Sequence, residues 1–211
     1  MTRKNIELVC FDLGGVLIRI VGGWAEACRV AGLPAHPLFE TEGPEALNRA
    51  VHAMEVGELT PARFLEALCA DADYTLEQAA RVLDAWLLGM YEGVGGLLGR
   101  LGELDATLAI LSNTNARHWR AIVDEAGPFA EVLTVPHRFA SHEIGARKPA
   151  GAAFAVVEEA MGTDSRRILY FDDSPENVAG AARAGWNAEL IDARADTVAQ
   201  MTHHLRHYGV I

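Results

Sequence analysis

The stretch IELVCFDLGGVL, residues 6–17, runs through six residues that are apolar but for Glu7, reaches Asp12, and then turns on a pair of glycines. A short apolar run without strict alternation has the pattern of a strand covered on both faces, as in a parallel sheet. A carboxylate at the end of such a strand, followed by Gly14 and Gly15, sits on a tight turn with open backbone. There it can serve as a nucleophile or a metal ligand, or do no more than cap the turn. Two further runs, 108–111 and 168–171, have the same character and stop on Ser112 and Asp172. Ligands of open α/β sheets bind outside the carboxyl ends of the strands. Three polar stops at three strand ends are therefore expected to converge on one crevice.

The stretches between these runs read as helices. Residues 115–127 follow the second run, 150–162 end on a glycine, and 175–185 open on Ser174-Pro175 and also end on glycine. A short strand near 187–191 and a last helix from about Thr197 complete a βα alternation. Residues 19–93 break it. There 44–56, 61–70 and 76–90 read as helices, with N-cap chemistry at Thr60-Pro61 and Thr75-Leu76, and no strand is evident. A connection of about 75 residues is far longer than a βα unit needs. The expected organisation is an α/β core formed by 1–18 and 94–211, with a small helical insertion, 19–93, over the crevice.

Composition narrows the function. Half of the 211 residues are hydrophobic and 22% are charged, which suits a packed core. The formal net charge of -11 argues against nucleic acid, because phosphate backbones demand clustered Lys and Arg. It leaves room for a small phosphorylated substrate held by a few local cations and a metal. Cys10, Cys28 and Cys69 share no zinc-type spacing and predict ordinary thiols in a reducing compartment. No leader and no apolar segment of about 18 residues is evident, so the expected location is the cytoplasm and no membrane contact is expected. Oligomeric state is not legible.

Three further constellations bear on chemistry. Ser112-Asn113-Thr114-Asn115 combines a hydroxyl and backbone N–H groups ahead of a helix, an arrangement suited to an anion, though an N-cap cluster looks the same. Arg147-Lys148-Pro149 places cations before a helix start, either to neutralise phosphate or as a solvated basic pair. In Asp172-Asp173-Ser174-Pro175-Glu176-Asn177, two adjacent carboxylates repel each other and gain most from a shared cation such as Mg2+. The histidines at 203, 204 and 207 read as surface residues of a polar tail. His118, Trp119, Trp86 and Met90 read as packing, and His142 and Glu143 as loop residues bordering the crevice.

In this order, FDLGGVL, LSNTN, RKP and YFDDSPENVAGA resemble the four motifs of the haloacid dehalogenase-like hydrolase superfamily, and the resemblance covers the whole chain. It implies a Rossmann-like parallel core with a helical cap between the first and second motifs. It also implies a Mg2+-dependent phosphatase acting on a small phosphorylated metabolite. By the same resemblance Asp12 is the nucleophile, forming an aspartyl-phosphate, and Ser112 and the Asn113 backbone hold the phosphoryl oxygens. Lys148 tethers nucleophile and phosphoryl group. Asp12, the backbone carbonyl of Gly14, and Asp173 supported by Asp172 and Asn177 hold the metal.

The chain departs from the pattern at Gly14, where most phosphatases of the family carry a second Asp as general acid and base. Such help is worth about 10²–10⁴ in rate. A branch of bacterial sugar-phosphate phosphatases shares the glycine, which makes sugar phosphates, anomeric ones above all, the expected substrates. Two alternatives follow from the same departure. One is a 2-haloacid dehalogenase, although that branch lacks the paired Asp. The other is a weakly active or non-catalytic protein that binds phosphate compounds.

Overall fold

The computed structural model describes residues 5–39 and 45–211. The expected helix start at Pro44 and the first residues of the expected core, 1–4, lie outside the described residues. In chain order the elements are β1 (Leu8–Phe11), β2 (Ile18–Ile20), α1 (Trp24–Val30), α2 (Glu45–Glu55), α3 (Pro61–Ala72), α4 (Leu76–Asp84), β3 (Leu87–Met90), α5 (Val94–Leu101), β4 (Thr107–Ser112) and α6 (Ala116–Ile122). They continue with β5 (His137–Ala140), α7 (Ser141–Ile144), α8 (Gly151–Met161), β6 (Ile168–Asp172), α9 (Pro175–Arg183), β7 (Asn187–Leu190) and α10 (Thr197–His207).

Five strands form one parallel sheet in the order β5-β4-β1-β6-β7, so the α/β class holds. β1 lies at its centre, with Phe11 level with Ile110 on one side and Phe171 on the other. Alternate residues feed two cores. Val9, Phe11, Ile110, Leu169 and Phe171 pack under Leu97, Leu101, Met201 and Leu205 of α5 and α10. Leu8, Cys10, Ala109, Leu111 and Tyr170 pack under Phe154 and Val157 of α8 and Ala181 of α9. Burial on both faces is the reason the three runs lack alternation.

A third cluster of buried residues belongs to the inserted stretch and centres on Trp24. Its ring stacks on Phe39 and Phe64, at 5.5 and 5.9 Å, and meets Trp86 edge-on at 5.1 Å. Thr60 caps α3, and Thr75 closes a reciprocal capping box with Gln78 at the start of α4, as the sequence predicts. The expected helix over 76–90 stops at Asp84. Residues 87–90 instead form β3, antiparallel to β2, so the stretch is not wholly helical. Pairing with Ile18–Ile20 and Gly89 at φ 127° account for the break. The fifth strand, β5, was also not expected; it is an edge strand with exposed His137 at its start.

The helix after β4 is shorter than expected, ending at Ile122. α10 is the expected last helix and carries all three histidines; His203 and His207 are exposed, as expected, and His204 Nδ1 is 3.3 Å from Glu189. Among the described residues, no helix is long and apolar enough to cross a membrane.

Phe171 stacks on Phe11 at 5.6 Å in the centre of the sheet and is fully buried. Its replacement by Ala is expected to cost about 3–5 kcal/mol, read as a shift in urea midpoint at unchanged slope.

Candidate active site

β1 delivers Asp12 to the middle of the crevice, where the Asp12 amide donates to the Phe171 carbonyl at 2.9 Å. The Asp12 carboxylate is nearly buried. Its Oδ1 accepts from the Leu13 N–H at 2.7 Å and lies 2.9 Å from Lys148 Nζ. Lys148 is wholly buried, which excludes the solvated basic pair. Its place is set from the end of β4: the Asn113 side-chain amide donates to the Lys148 carbonyl, and the Lys148 N–H donates back to Asn113 Oδ1, both at 2.9 Å. With its backbone pinned, the side chain runs between the ends of β1 and β6. There Nζ meets Asp12, Asp172 Oδ2 at 2.7 Å and the Tyr170 hydroxyl at 2.8 Å.

The two adjacent aspartates have different surroundings. Asp172 is fully buried and saturated. Its Oδ1 accepts from the Ser174 N–H and the Asn177 amide, and its Oδ2 accepts from Lys148, Tyr170 and the same amide. Asp173 is half-buried, and its carboxylate meets its own backbone N–H. Gly15 makes room for it. A Cβ at position 15 would lie 2.1 Å from Asp173 Oδ2, and φ there is +71°. Ser174 caps α9 through the Asn177 N–H, with Pro175 in its first turn.

One ammonium thus faces three carboxylates. Burial pushes the Asp12 carboxyl up to about 7 against the pull of Lys148, with Asp172 and Asp173 adding to the rise. Asp173 is raised by burial and by Asp172. Burial pulls Lys148 down, but Asp12 and Asp172 outweigh it and the net shift is upward. The site is short of positive charge. One oxygen from each of Asp12, Asp172 and Asp173 lies within 4.8 Å of the others, an all-oxygen set of the kind a hard divalent cation takes. Those residues fit magnesium. Because both Asp172 oxygens are engaged, Asp12 and Asp173 are the pair left for it.

Ser112 and Asn113 border a cavity of about 320 Å³ between the sheet end and the inserted helices, as does Gly14. Asn115 caps α6, accepting from the Arg117 and His118 N–H groups, and the Thr114 N–H donates to buried Ser141. His118 is more than packing. Its Nε2–H donates to the Leu83 carbonyl of α4 at 2.8 Å, and its Nδ1 accepts from the Asn115 amide at 3.1 Å, linking core and insertion. His142 and Glu143 lie on α7, and the His142 ring meets Trp119 edge-on. Arg147 forms a charge pair with Glu55 of α2 at 2.8 Å, without the alignment of a hydrogen bond. The sequence reading missed Tyr170, whose signal was a lone hydroxyl in an otherwise apolar run. It also missed Ser141, Glu55 and Ile20, for which no signal was available.

A family model described as haloacid dehalogenase-like hydrolase matches residues 6–185. Phosphatase MT3486 of Mycobacterium tuberculosis is 36% identical over 214 aligned residues, covering 98% of this chain and 97% of its own. The HAD family enzyme bt-2542 of Bacteroides thetaiotaomicron, solved as a magnesium complex, matches with a TM-score of 0.78 at 25% identity, covering 96% of this chain and all of its own. A predicted HAD-like family hydrolase from Porphyromonas gingivalis has the same TM-score at 24% identity, covering 96% and 98%.

Lys148→Met leaves buried carboxylates facing one another and is expected to cost about 3–5 kcal/mol at neutral pH. The loss should shrink as acid protonates them, visible in denaturation curves at two pH values. Burial holds His118 below its usual range. The unfolded chain therefore takes up that proton first, and this group's contribution to stability falls as pH drops through about 6.5. His118→Gln should accordingly lose less Tm than the parent between pH 7.5 and pH 5.5.

Proposed function

The chain belongs to the haloacid dehalogenase-like hydrolase family, and we propose that it is a magnesium-dependent phosphomonoester hydrolase working through a phosphorylated Asp12. The observation that carries this reading is the group of three carboxylates around a single lysine, beside the cavity that Gly14, Ser112 and Asn113 border. The 36% identical relative named a phosphatase and the magnesium complex of bt-2542 support it. Residues 19–93 act as the cap over a core made of 1–18 and 94–211. Three free thiols fit a cytoplasmic setting.

The roles follow from the contacts. Asp12, Asp173 and the Gly14 carbonyl would hold magnesium, which when bound offsets the charge of the phosphoryl oxygens. Asp172 works through Lys148, fixing the ammonium that neutralises and orients the nucleophile. Ser112 and the Asn113 N–H hold the phosphoryl oxygens. An Asp12 oxygen attacks phosphorus, the bond to the ester oxygen breaks, and that oxygen leaves with the electron pair and takes a proton from solvent. Water then attacks the same phosphorus and frees inorganic phosphate and Asp12.

Gly14 offers no proton, and Ile20 occupies the place of a donor: a Cβ at position 14 would lie 3.0 Å from Ile20 Cδ1. Substrates with weakly basic leaving oxygens suit such a site, and anomeric sugar phosphates and aryl phosphates both qualify. The dehalogenase reading leaves Asp173 without a task, and a binding-only protein has no use for a carboxylate held in attacking position.

Phosphate release from a panel of esters is expected to need Mg2+, to stop with chelator, and to fall to background in Asp12→Asn. Asp173→Asn should raise the Mg2+ needed by about tenfold or more. Gly14→Asp combined with Ile20→Ala should help alkyl esters more than aryl ones. Full activity of Asp12→Asn would overturn the proposal.

A further inference from the structure

The wall of the cavity opposite Ser112 comes from the inserted stretch and is built of carbon. Ile20 of β2, Trp24 of α1, Val51 and Met54 of α2, Leu83 of α4 and Trp86 line it. The polar groups there are few, and most are engaged. Both His118 nitrogens have partners, and Glu55 is paired with Arg147. What remains is the exposed Asn48, the second carboxylate oxygen of Glu55, and the Trp86 indole N–H, which is buried and has no partner among the described residues.

We infer that the leaving group of the substrate is a flat apolar ring, so that this hydrolase takes aryl phosphates in preference to sugar phosphates. The inference rests on the phosphatase reading above and names its substrate class. Two independent features carry it. A sugar buried against this wall would leave most of its hydroxyls without partners, whereas an aromatic ring fits beside the indoles of Trp24 and Trp86. Separately, a phenol ionises near 10, as tyrosine does, so a phenolate departs without the acid that Gly14 lacks; this sets aryl esters apart from sugar 6-phosphates, and the apolar wall sets them apart from anomeric ones. At about 320 Å³ the cavity falls in the range of small-molecule sites. The indole N–H leaves a place for one acceptor on the ring.

The test compares kcat/KM in Mg2+ for phenyl phosphate, 2-naphthyl phosphate, glucose 1-phosphate and glucose 6-phosphate. Beside it, calorimetry measures binding of the non-hydrolysable 2-naphthylmethylphosphonate. The naphthyl ester should exceed the phenyl ester by about tenfold, from its extra buried apolar area, and both should exceed either sugar phosphate. Val51→Asn, or Ile20→Thr should the first variant fail to fold, should lose more on the naphthyl ester than on the phenyl ester. Turnover that favours glucose 1-phosphate would overturn the inference and leave the phosphatase reading standing. Tight phosphonate binding without turnover of any ester would support the ligand class and overturn the hydrolase reading. Neither turnover nor phosphonate binding would overturn both.

Discussion

A single ammonium group, that of Lys148, sits in the dry interior between Asp12 and Asp172, and the arrangement of the strand ends depends on it. Burying a charge is costly unless it is paired and its hydrogen bonds are made. Here the protein meets that condition three times over, with two carboxylates and the Tyr170 hydroxyl around one nitrogen. The cluster draws on three separate places in the chain: Asp12 at the end of β1, Tyr170 and Asp172 on β6, and Lys148 itself in the loop after α7. The ion cluster therefore cannot form unless the sheet has its correct strand order.

The cluster also separates two aspartates that are adjacent in sequence. Asp172 spends its oxygens on Lys148, Tyr170, Ser174 and Asn177, and so belongs to the interior. Asp173, one residue later, lies over Gly15 and remains available at the surface of the site. The division falls at the end of β6: Asp172 is its last residue, and Asp173 lies in the bend that leads into α9.

Much of this was legible in the sequence. The apolar runs of β1, β4 and β6 lack alternation because both faces are covered, and each ends on a residue of the site. Thr75 and Ser174 announced their helices by local chemistry that needs no tertiary context. What was not legible depends on distant partners. β3 contains a glycine and follows a strongly helical stretch, and it becomes a strand only because β2, some 70 residues earlier, offers it an edge. β5 contains His137 and Arg138 and has no apolar signature. The cavity wall is assembled from α1, α2, α4 and β2, and no single segment carries its pattern.

The central position of β1 bears on how the molecule comes into being. The strand that leads into Asp12 is synthesised well before its neighbours, which pair with it from residues 107–110 on one side and 168–171 on the other. Contacts of such sequence separation form slowly, because the intervening chain must close a long loop first. A nascent chain therefore carries Asp12 alone until Lys148 and Asp173, more than 130 residues later, have been made. The carboxylates and their lysine come together only when β6 has docked beside β1.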